Sequence, residues 1–219
     1  MRIALIGGHG KVALLAAPLL VADGHEVVSI IRNPAHEADV AATGATPLAT
    51  DIETLEQPDW NRLLSSGFDA VVWSAGAGGG APQRTWAVDF TAAKRSMVAA
   101  LRNGIERYVM VSYFGCSLTH SVPEEDGFWH YAQAKAEADA LLRGTSLNYT
   151  ILGPSTLTLA EPSGRIDPTP SAERSGTVAT TSRANVARVI AAAIRAGSAA
   201  HRTTLEFTDG SVPIDEMWA

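Results

Sequence analysis

Arg2-Ile-Ala-Leu-Ile-Gly-Gly-His-Gly-Lys-Val-Ala-Leu-Leu-Ala-Ala-Pro-Leu-Leu-Val-Ala-Asp-Gly-His-Glu-Val-Val-Ser-Ile-Ile-Arg32 is the stretch that decides the fold. Its first five residues form a short apolar, β-branched-rich run, too short for a helix and suited to a buried parallel strand. The run breaks at Gly7-Gly8-His9-Gly10, and Lys11 to Ala22 then reads as a helix that Asp23-Gly24 stops. A second buried strand follows, Glu26 to Ile31. Strand, glycine turn, helix and strand within about 30 residues make the βαβ unit that binds dinucleotides. Gly7 permits the tight turn, and Gly8 or Gly10 lets the backbone approach a pyrophosphate, whose charge the helix N-terminus stabilises. Ala13 stands where the pattern usually has its third glycine, a position that needs only a small residue for close helix–strand packing.

The end of the second strand bears on which dinucleotide. A site for NAD places Asp or Glu there to accept from ribose hydroxyls, whereas Arg accommodates a 2′-phosphate. This chain has Arg32-Asn33-Pro34 and no carboxylate before Glu37, which favours NADP(H) over NAD(H).

The chain has 219 residues, enough for one ordinary domain with a full core spanning 1–219. With 46% hydrophobic and 18% charged residues it is globular rather than disordered. A net charge of −6 argues against nucleic acid or an anionic membrane as a partner; a small-molecule substrate and a monomer or homodimer are expected. The single cysteine, Cys116, rules out an intrachain disulfide and a cysteine metal cluster, and no metal site is expected. The first strand starts at Arg2, which leaves no room for a signal peptide, and no apolar run reaches membrane-spanning length. A cytoplasmic location is the simplest expectation. Only Lys11, Lys94 and Lys135 are lysines, and that bias with abundant alanine fits the codons of a GC-rich bacterial genome.

Further along, Asn33 to Gly44 reads as a short helix and Ala45 to Ala49 as a third strand ending at Thr50-Asp51-Ile52. In a dinucleotide fold that end lies beside the adenine, so Asp51 and Ile52 are candidate contacts; Asp51 serves equally as the N-cap of a short helix over Glu53 to Leu55. Pro58 to Leu64 reads as a helix and Ala70 to Ser74 as a fourth strand, which empties into Ala75-Gly-Ala-Gly-Gly-Gly-Ala-Pro82. Ala75, Gly76 and Ala77 are expected to pass along the cofactor, with Gly78 to Gly80 mobile, because ligands of open α/β sheets sit at the carboxyl ends of strands. Gln83 to Asn103 has Trp86, Phe90, Ala93, Met97 and Leu101 at helical spacing, a core face. A fifth strand, Arg107 to Ser112, leads into a loop whose length and acidic run, Glu124-Glu125-Asp126, suggest a solvated lid. A helix from His130 to Arg143, a sixth strand from Asn148 to Leu152, an aperiodic 155–181, a helix from Ser182 to Ala196 and a last strand from Thr203 to Phe207 complete the pattern. The segment 155–181 is expected to build the substrate side of the cleft.

Tyr131-Ala-Gln-Ala-Lys135 is the second informative stretch. An i, i+4 pair shares a helix face, and a nearby ammonium lowers a phenol's pKa toward a usable general acid or base. Lysine can also hold ribose hydroxyls. Such a pair arises in many helices; here it follows the fifth strand behind a dinucleotide fingerprint.

These motifs together resemble the short-chain dehydrogenase/reductase superfamily. They are Gly7-Gly8-His9-Gly10-Lys11-Val12-Ala13, Arg32-Asn33-Pro34, Ser74-Ala75-Gly76-Ala77, Val88-Asp89, Val111-Ser112, Tyr131 to Lys135 and Gly153-Pro154. Ser182-Arg-Ala-Asn-Val-Ala187 narrows the likeness to the small atypical branch of NAD(P)H-binding, NmrA-like and flavin-reductase-like proteins. The resemblance implies an α/β fold, a Rossmann-like doubly wound parallel sheet with strand order 3-2-1-4-5-6, a short seventh strand and a small C-terminal substrate region. It implies Gly7, Gly8, His9, Gly10, Lys11, Val12, Arg32, Asn33, Asp51, Ile52, Ala75, Gly76, Ala77, Lys135 and Pro154 at the cofactor. It also implies Tyr131 as proton donor, Lys135 as the residue that orients ribose and tunes Tyr131, and Ser112 as the group that polarises a carbonyl. Relatives often place that hydroxyl just beyond the strand end, where Tyr113, Phe114 and Gly115 stand, so Ser117 or Thr119 is an alternative. Relatives also commonly read Arg-Pro-Gly where this chain has Gly153-Pro154-Ser155.

The activity so implied is hydride transfer from NADPH to a small carbonyl, quinone or flavin-type acceptor. Two other readings stay open: a dinucleotide-binding redox sensor without turnover, and epimerase or dehydratase chemistry on a sugar nucleotide. The intact Tyr131/Lys135 pair speaks against the first, and the short C-terminal region against the second. A methyltransferase fits poorly, since Arg32 replaces the acidic ribose ligand.

Overall fold

A computed structural model describes residues 1–78, 81–169 and 179–218. Its strands are β1 (Arg2–Ile6), β2 (Glu26–Ile31), β3 (Thr46–Ala49), β4 (Ala70–Trp73), β5 (Arg107–Val111), β6 (Asn148–Pro154), β7 (Thr156–Thr158), β8 (Arg165–Asp167), β9 (Thr180–Ser182), β10 (Thr203–Asp209) and β11 (Val212–Pro213). The helices are α1 (Lys11–Ala22), α2 (Glu37–Ala41), α3 (Gln57–Leu64), α4 (Pro82–Thr85), α5 (Ala93–Arg102), α6 (Trp129–Arg143) and α7 (Arg183–Arg195).

Nine strands form one sheet in the order β11-β8-β10-β6-β5-β4-β1-β2-β3. The run from β3 to β10 is parallel throughout, with Ile3 opposite both Val27 and Ala70, so the 3-2-1-4-5-6 order holds with β10 as the seventh strand. Beyond it β8 pairs antiparallel with β10 and β11, and β7 pairs with β9 in a separate two-stranded piece.

Both faces of the sheet are covered, which is why its strands are near-continuously apolar. Alternation within β1 divides the core: Ile3 and Leu5 pack with α1 and α7 on one face, Ala4 and Ile6 with α3, α5 and α6 on the other. Trp60 and Trp73, neither exposed at all, fill the second face. Each large aliphatic side chain buried there contributes roughly 1.5–3 kcal/mol of transfer free energy.

Several elements differ from expectation. The helix expected after Arg32 is a single 3-10 turn, Pro34–His36, followed by the five-residue α2, because Pro34 fixes the first turn and Asn33 Oδ1 caps it at Ala35 N (3.0 Å). Glu53 to Leu55 form no helix; the chain makes a turn over 52–54 instead. Between α4 and α5 the residues Trp86–Ala92 are π-helical, and each wider turn shifts the buried face. Leu101, expected in the core, is 41% exposed, while Ala99 and Ala100 take the buried positions. Strand β6 runs on to Pro154, and the aperiodic stretch after it contains β7, β8 and β9. Ser182 caps α7, its Oγ accepting from Asn185 N at 3.0 Å. The expected mobility of Gly79 and Gly80, and the stretch 170–178 of the substrate-side segment, lie outside the described residues. No helix among the described residues is long and apolar enough to cross a membrane.

Candidate active site

A cleft of about 280 Å³ opens at the carboxyl ends of β1, β2 and β4. Gly7 sits at its base with φ +82°, and an added Cβ would stand 2.6 Å from Ala75 Cα, so both conformation and space require glycine. Gly8 turns away from the cleft: a Cβ there would lie 2.5 Å from Ser29 Cβ. Of the two glycines proposed to admit a pyrophosphate, Gly8 therefore packs the turn onto β2, and Gly10 faces the opening. Gly10 N donates to Gly7 O (2.8 Å), and Leu14 N makes the first helical bond back to Gly10 O, which leaves the leading N–H groups of α1 without helical partners. Small residues where a phosphate would approach, and free N–H groups beside them, fit a dinucleotide.

Of the expected cofactor residues, Gly7, His9, Gly10, Arg32, Asn33, Asp51, Ile52, Ala75 and Gly76 line the cleft. Six do not: Val12 is 8% exposed and belongs to the core, Ala77 is buried, Gly8 is packed on Ser29, Lys11 and Lys135 are off the lining, and Pro154 lies in another cavity. Arg32 is exposed at the rim. Asp51 takes both roles foreseen for it in part, lining the cleft while its Oδ1 accepts from Glu53 N at 3.1 Å to close a turn. The sequence did not single out Arg84, which joins Glu53 (3.1 Å) to Ala77 O (2.7 Å) across the cleft wall. Neither did it single out His36, whose ring stacks on His9 with centroids 3.7 Å apart.

A second cavity of about 500 Å³ is walled by Ser112, Tyr113, Phe114, Phe128, Tyr131, Pro154, Leu157 and the small residues Ser155, Thr156 and Ala179. No charged side chain is among these described residues. Tyr113, Phe128 and Tyr131 form an aromatic corner with centroids 5.4–5.6 Å apart. The loop before α6 supplies Phe128 to that corner, and His120 Nε2 lies 3.1 Å from Gln133 Oε1, tying the loop to the helix. Pro154, expected at the cofactor, stands in this second cavity, because β6 continues two residues further than its pattern suggested.

Helix α6 presents Tyr131, Lys135 and Asp139 at successive i, i+4 positions. Lys135 is 1% exposed, and its Nζ donates to Val111 O at 2.7 Å. The expected lowering of the Tyr131 phenol by Lys135 does not occur. Burial pushes Tyr131 well above its ordinary value, and the Asp89 carboxylate adds to that. Asp89 itself is fully buried, Oδ2 accepting from Ala77 N at 3.0 Å; burial pushes it up while Lys135 pulls the other way. Ser112, 5% exposed, donates from Oγ to Asp139 Oδ2 at 2.6 Å. Ser117 and Thr119 are exposed, hydrogen-bond to each other and do not line the cavity, whereas Ser112 does. Burial raises the Cys116 thiol to about 12, with the Asp139 charge contributing, which keeps it protonated and unreactive.

Comparison with known proteins agrees with this geometry. A family model described as NAD(P)H-binding matches residues 7–196. The uncharacterized sugar epimerase YhfK of Bacillus subtilis is 28% identical, over 99% of this chain and 98% of its own. A solved structure, a putative NAD-dependent epimerase/dehydratase from Bacillus halodurans, is 30% identical and superposes with a TM-score of 0.86, covering 99% of this chain and 97% of that one. The anaerobillin reductase ChuY of Escherichia coli O157:H7 shares the fold at 20% identity, with a TM-score of 0.77 over 97% of this chain and 98% of its own.

Proposed function

The chain belongs to the NAD(P)H-binding family, and we propose that it is an NADPH-dependent reductase acting on a flat, largely apolar acceptor of the quinone or flavin type, or on a small carbonyl. The observation that carries this reading is Tyr131: its hydroxyl-bearing ring walls a cavity that is aromatic and free of charged side chains among the described residues. A flat π-system gains offset or edge-to-face contacts against Tyr113, Phe128 and Tyr131. NADPH would supply a hydride.

The chain's residues divide the remaining work. Gly7, Gly10 and the first turn of α1 receive the pyrophosphate. Arg32 at the rim takes the 2′-phosphate, and Asp51 and Ile52 the adenine side. Tyr131 holds a proton, and the burial that raises its pKa keeps the proton in place until negative charge develops on the acceptor next to it. Lys135 donates to Val111 O and to Met110 Sδ, which leaves one of its three N–H groups for a ribose hydroxyl. The segment 155–181 contributes Ser155, Thr156 and Leu157 to the substrate side.

The names of the Bacillus relatives favour a second reading, an epimerase or dehydratase. That chemistry needs Tyr131 as a base in its first step, and a phenol pushed upward is a poor one. A sugar nucleotide would also bring two phosphates to a cavity without a charged partner among its described residues. Both points support reduction.

Titration of the full chain with NADPH and NADH, followed by cofactor fluorescence and then by a panel of quinones, flavins, aldehydes and ketones, tests the reading. NADPH oxidation that vanishes in Tyr131→Phe while NADPH binding persists supports it. Binding without turnover on any acceptor supports the sensor instead, and binding of neither nucleotide overturns the cofactor assignment.

A further inference from the structure

We propose that His9, His36 and Asp39 form a site for one divalent transition-metal ion at the rim of the cofactor cleft. The three come from two separate elements, the glycine turn and the short helical segment after β2, and one ligand atom from each lies within 4.8 Å of the others. His9 Nε2 is 3.0 Å and His36 Nδ1 3.9 Å from the same oxygen, Asp39 Oδ2. The two imidazoles are stacked with their planes 7° apart, so one ring must turn out of the stack for both nitrogens to point at one ion. Zinc binds imidazole nitrogen and carboxylate oxygen at about 2.0–2.2 Å, which sets ligand atoms of a tetrahedral site roughly 3.3 Å apart. The His9–Asp39 pair is already that close at 3.0 Å, and the His36–Asp39 pair, at 3.9 Å, closes as the half-buried His36 ring turns out of its stack on His9.

The donor set selects the ion. Two imidazoles and one carboxylate suit Zn²⁺, Ni²⁺ or Cu²⁺ and not Mg²⁺ or Ca²⁺, which prefer all-oxygen shells. Three protein ligands leave a coordination position open, as in sites that exchange a water or an outside ligand. Both histidines line the cleft, so the bound ion would stand at its wall. The nitrogen–carboxylate contact at 3.0 Å is the arrangement in which a proton occupies the place of the metal.

The test is calorimetric titration of the chelator-treated full chain with Zn²⁺ alone, with Mg²⁺ as the control. One equivalent of Zn²⁺ should bind and Mg²⁺ should not. His36→Ala and Asp39→Asn should each weaken Zn²⁺ by about tenfold or more, since loss of even an outer partner of a metal ligand costs 10–100-fold. Absence of stoichiometric Zn²⁺ binding overturns the site, as does equal binding by both variants, which would place the ion on other histidines. Proton NMR of the unsubstituted chain gives an answer that no folding defect can obscure. Two of the six histidine rings should shift on adding one equivalent, and a shift of any others overturns the assignment. No nucleotide is present in either measurement, so the outcome is independent of the reductase reading.

Discussion

Ser112 Oγ donates to Asp139 Oδ2 at 2.6 Å, joining the end of β5 to the third turn of α6 beneath the aromatic cavity. Both residues are buried, and Asp139 is not exposed at all. The serine proton is committed inward, so the face of Oγ turned to the cavity is an acceptor. A substrate hydroxyl or N–H can be held there directly; a carbonyl cannot be polarised by Ser112 unless that proton is redirected.

Removing the carboxylate leaves the hydroxyl without its charged acceptor in a buried place. Asp139→Ala should cost about 2–4 kcal/mol of unfolding free energy, and Ser112→Ala less. Urea denaturation followed by circular dichroism measures both. The double variant should cost less than the sum, because the two residues share one bond. Strict additivity would mean that the bond contributes nothing to stability.

The role proposed for Tyr131 sets a pH dependence for the proposed reduction. A phenol with an ordinary pKa near 10 loses about a tenth of its acid form by pH 9. Burial and the nearby Asp89 charge hold Tyr131 higher, so the neutral, proton-donating form persists further into base. Acceptor reduction at saturating NADPH should therefore be flat from neutral pH to about pH 9. The reverse oxidation, which needs the phenolate, should be slow and rise with pH. A basic limb in the reduction profile centred below pH 9 would contradict this.

Legibility in the sequence divided along the line between local and distant causes. The glycine turn and the β-branched strands act within a few residues and were readable from their neighbours, and the helix read from Ser182 proved to start one residue later, with Ser182 as its cap. The spacing of Tyr131 and Lys135 put them on one helix face, but the direction of the lysine depends on Val111 O, a neighbour 24 residues away. The Ser112–Asp139 bond spans 27 residues and no motif announces it. His36 was missed for the same reason, since nothing near it in the chain signals a stacking partner on the glycine turn. The π-helical stretch carries no local signature at all, which is why a strict 3.6-residue period placed Leu101 inward.

Arg32 stands exposed at the cleft rim, and the proposed contact with a 2′-phosphate predicts asymmetric losses. A hydrogen-bonded contact between charged groups is worth about 1.5–3 kcal/mol, so Arg32→Ala should weaken NADPH by roughly tenfold to hundredfold. NADH, which lacks the phosphate, should change by about twofold or less by the same argument. Fluorescence titration of both nucleotides decides it. Equal losses would show that Arg32 serves the ribose or the fold rather than the phosphate.

Gly8 gives the sharpest test of how the turn is built. A methyl group there would sit 2.5 Å from Ser29 Cβ and 3.0 Å from Ser29 Cα, and β2 is a buried inner strand between β1 and β3 that cannot retreat. Overpacking of this kind costs about 1–3 kcal/mol. Gly8→Ala should therefore lower the thermal midpoint while leaving the φ-constrained Gly7 untouched. Ser29→Gly alone should also destabilise, since glycine weakens a strand interior. Combined, the two should recover part of the loss, because the second substitution removes the atom that the first collides with. If Gly8→Ala is neutral for stability yet abolishes nucleotide binding, Gly8 faces the pyrophosphate and the packing role assigned to it is wrong.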